Sequence, residues 1–233
     1  RFDLGVSLVS GDRVIDEIAH QLGHTLTLAV AAIILALLIG PPLGLLAGLR
    51  PHGVADRLSL VAATVLRALP TFVVGIVLIE ILALRFDLLP AAGFHEHGNL
   101  VLPALALALG LAAVSCRVTR DAMVDVAASP QFLFARTKGL ADGQALLRHG
   151  LRNVGVPVVA YLAVQLVYLV EGVVVVETLF AWPGIGHALV HAIVGRDIPM
   201  VQGCALVMGL MFVLLNALVD LACIAIDPRR RAA

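Results

Sequence analysis

Four ionisable residues, Arg67, Glu80, Glu171 and Asp220, stand inside long apolar stretches of this 233-residue chain. A charge in such a stretch is costly and calls for a partner or a task. At about 1.5 Å per helical residue, Arg67 and Asp220 lie at comparable depths in their stretches, so the two can pair. Glu80 and Glu171 fall toward the other end and can line a vestibule. Carboxylates so placed can relay protons or ions; interhelical bonding or snorkelling is the plainer reading. Histidines offer a second chemistry. His20 and His24, and again His187 and His191, are i, i+4 pairs, and His95 and His97 flank Glu96. Such spacing can hold a transition metal or an iron porphyrin, but solvated histidines explain it more simply and no metal site is assigned. Cys116, Cys204 and Cys223 show no metal-type spacing and read as small buried hydrophobes. No GxxxxGK[ST] loop occurs, and Lys138, the one lysine, precedes Gly139 in the wrong order for it. The chain therefore cannot bind ATP by itself. With no Ser/His/Asp or paired-carboxylate constellation either, it is not read as an enzyme.

The elements that must carry these residues are membrane helices. Apolar residues make up 61% of the chain and charged residues 14%, which marks an all-α, polytopic transmembrane helical bundle. Net charge is zero, so no global field attracts nucleic acid. Five stretches approach the ~20 residues needed to cross a hydrocarbon core: His24–Leu49, Leu58–Leu84, Leu100–Cys116, Val154–Val176 and Val201–Ile226. Pro41, Pro42 and Pro70 fall inside them, where neighbouring helices can satisfy the freed backbone groups. Ala32, Ala36, Gly40, Gly44 and Gly48 form a stripe of small residues for close packing, against either this chain or a partner.

Ser129–Pro157 interrupts the apolar pattern. It carries Arg136, Lys138, Arg148 and Arg152 against one acid, Asp142, and ADGQALLRHGL reads as a short amphipathic helix. Leu146, Leu147 and Leu151 supply its apolar face, with Arg148 and Arg152 at i, i+4. If this loop is cytoplasmic, eleven basic residues lie inside and four outside, with Arg67 in a span. The positive-inside rule then puts the C-terminus inside and residue 1 outside. One more spanning helix is expected upstream, giving six in all with both ends in the cytoplasm.

The run RTKGLADGQALLRHGLRNVGVPVV resembles the coupling loop of ATP-binding-cassette (ABC) importer permeases, and VVVVETLFAWPGIGHALVHAIVGRDIPMVQG resembles the outer loop of their dipeptide, oligopeptide and nickel group. LLNALVDLACIAIDPRRR, LLIGPPLGLLAGL and LVLPALALALGLAA fit the same group, and the details favour its B-type subunit. The loop's name-giving acid is replaced by Leu133. The resemblance implies one type I permease domain over 1–233, with a cytoplasmic coupling loop near 129–153 and an extracytoplasmic loop near 177–199. It implies ATPase coupling through Phe134, Ala135, Arg136, Lys138, Gly139, Leu147, Arg148 and Arg152. It places Glu177, Trp182, Pro183 and Gly184 at an outer gate, joining Arg67, Glu80 and Glu171 of the translocation path. The partners implied are a second permease subunit, two ATP-binding subunits or domains that hold ATP and Mg, an extracytoplasmic substrate-binding protein, and the lipid of a bacterial plasma membrane. No cofactor belongs to this chain. The solute implied is a di- or oligopeptide. The alternative is an ion-coupled secondary transporter built on the intramembrane carboxylates.

Overall fold

The computed structural model describes residues 4–94, 98–139, 144 and 151–226. Regular structure among them is helical, apart from one antiparallel bridge, Val6 with Arg13. The helices are α1 (Val14–Leu49), α2 (Val54–Ala68), α3 (Thr71–Leu78, continued as a π-helix over Ile79–Arg85), α4 (Val101–Ala127), α5 (Pro130–Thr137), α6 (Leu151–Leu179), α7 (Ile185–Val194) and α8 (Ile198–Ile226). α1, α4 and α8 are each long and apolar enough to cross a membrane.

Every expected stretch is helical, but three differ from expectation. α1 begins at Val14 rather than His24, because Asp16 and Glu17 occupy its first turn, where acids suit the positive end of the helix dipole. α4 continues through Arg117, Arg120 and Asp121 to Ala127; these charges end the apolar run without breaking the helix. The second stretch is not one span. It is broken at Leu69 and Pro70 into α2 and α3. Pro70 has no N–H and clashes with helical backbone before it, so Leu69 adopts extended angles of φ −87° and ψ 131° and α2 stops at Ala68. Pro41 and Pro42, by contrast, lie inside a continuous α1.

The chain divides into two compact units. The first comprises Arg1–Ile33, Pro70–Leu107 and Leu166–Leu218, and the second Ile34–Leu69, Ala108–Gln165 and Val219–Ala233. In the first unit Val14 and Ile18 of α1 pack with Ile185, Ala188 and Ala192 of α7 and with Met200 and Cys204 of α8. In the second, the glycine stripe meets α4. A Cβ on Gly40 would strike the Ser115 hydroxyl and approach Ala112 O to 2.7 Å; one on Gly44 would strike Cys116 O, and one on Gly48 would lie 2.6 Å from Met123 Cβ. The stripe thus serves packing within this chain. A second cluster in this unit joins Met123 of α4, Phe132 and Ala135 of α5, and Val154 and Val158 of α6.

Candidate functional site

The first unit is organised around Glu177, near the end of α6 and fully buried. A buried carboxylate needs its lone pairs engaged, and three donors converge on it. Thr25 Oγ1 of α1 donates to Oε1 at 2.6 Å, while the Gly186 and His187 amides of α7 donate to Oε2 at 2.8 and 3.3 Å. The Ile185 amide donates to Thr25 Oγ1 at 2.9 Å. Free amides at a helix start suit a negative charge, so Glu177 and Thr25 together cap α7. Close approach is possible only because residue 184 is glycine: a Cβ there would collide with the Glu177 carboxylate. Trp182, also buried, donates from Nε1 to His24 O at 3.0 Å, and its ring meets Phe94 edge-on at 5.1 Å. The segment between α6 and α7 is thereby pinned to α1 at two points.

Beside it, Ser7, Glu17, Gln21, His191 and Asp197 line a cavity of about 330 Å³. Asp197 is buried; the Ser7 hydroxyl donates to Oδ2 and the Met200 amide to Oδ1 at 3.3 Å. The Ser7 bond, aided by backbone amides of Leu8, Met200 and Val9, holds the Asp197 carboxyl below the usual carboxylate range, against the opposing effect of burial. His187 and His191 stack edge-to-face at 4.4 Å. Burial, then its neighbour His191, lowers the His187 pKa. Among the described residues no group of three or more His, Cys, Asp or Glu is placed to hold a metal ion.

In the second unit Arg120 of α4 grips Asp56 of α2 with two bonds of 2.9 Å, and the His52 amide adds a third to Asp56 at 2.7 Å. Arg120 also reaches Asp121 at 3.0 Å. α5 starts at Pro130, a favoured first helical position. The Ser129 hydroxyl bonds Val126 O at 2.6 Å and receives the Phe132 amide at 3.4 Å. Phe132 and Ala135 face the interior, while Phe134, Lys138 and Gly139 are exposed. The Lys138 ammonium sits 4.5 Å over the Phe134 ring, within cation–π range. Gly139 turns the chain at φ +83°.

The structure draws Glu177, Trp182 and Gly184 together with Pro183 beside them, and gathers Phe134, Ala135, Lys138 and Gly139 on α5 and its end. The expected Arg67–Asp220 pair does not form. Both ion pairs among the described residues belong to Arg120, because equal depth along two helices does not make their faces meet. Glu80 is exposed on the π-helical stretch. Leu147, Arg148, His95, His97 and the amphipathic ADGQALLRHGL segment apart from Gln144 and the backbone of Leu151 lie outside the described residues, as do the side chains of Arg136, Arg152 and Glu171. Sequence reasoning missed Thr25 and the Asp56–Arg120 pair. A threonine 152 residues from its partner carries no signal, but Asp56, the one acid between basic Arg50 and Arg57, did call for a cation.

Comparison with known proteins matches residues 40–232 to the family described as "Binding-protein-dependent transport system inner membrane component". The glutathione transport system permease protein GsiC of Escherichia coli strain CFT073 is 37% identical over 229 residues, covering 98% of this chain and 75% of that protein. GsiC of Shigella flexneri serotype 5b shows the same identity and coverage. Among solved structures, the inward-facing MetNI methionine ABC transporter aligns with TM-score 0.71 at 15% identity over 91% of this chain and 97% of that one. An amino acid ABC transporter with histidines gives 0.67 at 17% over 90% and 94%. The fold is thus that of type I ABC importer permeases. The chain belongs to the binding-protein-dependent transport system inner membrane component family, as a multi-pass ABC importer permease of the peptide, oligopeptide and nickel type in the bacterial inner membrane.

Proposed function

We propose that this chain forms half of the translocation pathway for short peptides. It pairs with a second permease subunit, receives solute from a substrate-binding protein outside, and is driven by two ATPase subunits that hold ATP and Mg inside. The observation that carries the coupling role is the α5 geometry. Phe132 and Ala135 root the helix among Met123, Val154 and Val158, while Phe134 and Lys138 stand exposed beyond it. A short helix held on one face and bare on the other transmits a partner's motion as a rigid body. Supporting the substrate class, the relatives are named for glutathione, which is itself a tripeptide. In this reading residues 129–153 face the ATPase, and residues 177–199, with the Glu177-capped α7, lie under the binding protein.

The test is uptake into proteoliposomes holding both permeases, the ATPases and the loaded binding protein. Entry of labelled glutathione or dipeptide that requires ATP is the expected result. Accumulation on an ion gradient without ATP would overturn the reading.

A further inference from the structure

Arg67 and Arg117 line one cavity of about 240 Å³ in the second unit. Arg67 stands in the last turn of α2, next to the Leu69 break, and Arg117 in the middle of α4. The rest of the wall is alanine, valine and Thr64, whose hydroxyl already donates to Leu60 O at 2.7 Å. Arg67 and Arg117 are therefore the residues of its wall that carry a positive charge, and no carboxylate lines it. Neither arginine forms an ion pair among the described residues, while Arg120, one helical turn from Arg117, takes both Asp56 and Asp121. Those nearby acids are thus already committed.

Arg67 stands within an apolar stretch, where a charge calls for a partner or a task, while Arg117 ends the apolar run of α4 and both residues are exposed. Guanidinium forks match a carboxylate in two-bond geometry. Irregular backbone at membrane depth, such as that at Leu69, is tolerated where it is buried in protein or lines a water-filled cavity; Leu69 is exposed. The volume falls below the ~300–1,000 Å³ of pockets that enclose a whole drug-sized ligand. It suits one end of a solute.

We propose that Arg67 and Arg117 form a transit site for the carboxylate of the transported solute. This rests on the peptide-importer reading and names the group that the path recognises. A lipid phosphate offers the same chemistry, so the test separates the two. The assembled transporter is placed in phosphatidylcholine nanodiscs and treated with phenylglyoxal, with Arg57 as the internal reference. Labelling of Arg67 and Arg117 is followed by peptide mass spectrometry. Millimolar acetyl-dialanine, with its free carboxylate, is expected to slow labelling of both arginines, and its uncharged methylamide is not. Equal labelling with either peptide overturns the site. So does protection that needs only phosphatidylglycerol, which assigns a lipid phosphate. Protection without peptide that vanishes when this chain is isolated assigns a partner carboxylate and overturns it as well.

Uptake gives the second readout. Replacing both residues, Arg67→Gln with Arg117→Gln, should lower ATP-driven peptide uptake by about tenfold or more, the loss expected of a charge-assisted bond. Binding-protein affinity should stay unchanged, and the double lysine variant should recover part of the uptake. Undiminished uptake in the glutamine variant counts against the site. If the wild-type assembly shows no ATP-driven uptake, the importer reading fails, and the labelling result still decides whether the arginines hold a carboxylate.

Discussion

Glu177 is the residue on which the most structure depends. Its carboxylate is inaccessible to solvent and takes bonds from α1 and from the first amides of α7. Glu177→Ala strands those donors in a buried site, where each unsatisfied group costs about 1–3 kcal/mol. The Gly186 and His187 amides should then exchange with deuterium about a hundredfold faster, equivalent to about 2.7 kcal/mol. A Thr25→Ala and Glu177→Ala double-mutant cycle should show coupling of about 1 kcal/mol or more, and additivity within error would remove Thr25 from the cap. Asp197 supplies a pH dependence. Its folded pKa lies below the unfolded value of ~3.9, so its contribution is complete above that value and is lost as pH falls through the folded pKa. Protection of the Val9 and Met200 amides, taken relative to the intrinsic exchange rate at each pH, should fall on acidification below about pH 4, and Asp197→Asn should flatten that dependence. Glu177 was legible in the sequence as an outer-gate residue, through the resemblance carried by the run ETLFAWPGIG. Its burial was not, because that depends on Thr25 and on two glycines without a Cβ.

At the scale of elements, apolar runs located the long helices α1, α4, α6 and α8 and the broken α2–α3 pair, and the small-residue stripe located one packing seam. The runs could not show where charge ends a span without ending a helix, as in α4, nor which proline breaks one. Pro41 and Pro42 lie within α1 while Pro70 ends α2, so residue type alone does not decide. The seam between α1 and α4 yields a paired prediction. Gly44→Ala puts a methyl into the Cys116 carbonyl and within 2.7 Å of Thr119 Cβ. Overpacking of this kind costs about 1–3 kcal/mol, so the thermal midpoint in detergent should fall. Gly23, in the same helix, has open space where its Cβ would be, and Gly23→Ala should raise the midpoint by an amount equivalent to about 0.4–1 kcal/mol. Equal effects at the two positions would mean that helix propensity, not the seam, sets the response.

The whole molecule works, in this reading, as one half of a device that converts ATPase closure into a change of access. The charge distribution points to the side that meets the ATPase in this reading, because eleven cations fall on one side of the five expected stretches if the basic loop is cytoplasmic. No sequence pattern could show that α5 would bury Phe132 and bare Phe134. The hinge of that surface is Gly139, whose φ of +83° is unfavourable for residues with a Cβ and worst for β-branched ones. A graded series follows. Gly139→Asn should transport nearly normally, since asparagine tolerates left-handed backbone. Gly139→Ala should weaken coupling, and Gly139→Val should abolish it, the left-handed penalty being about 1–2 kcal/mol for an ordinary residue. In reconstituted vesicles the valine variant should insert and assemble normally and keep its basal ATP hydrolysis. It should lose both peptide uptake and the stimulation of hydrolysis by loaded binding protein. A valine variant whose hydrolysis still rises with loaded binding protein would show that the turn after α5 does not carry the signal. Coupling would then have to run through a different surface of the chain.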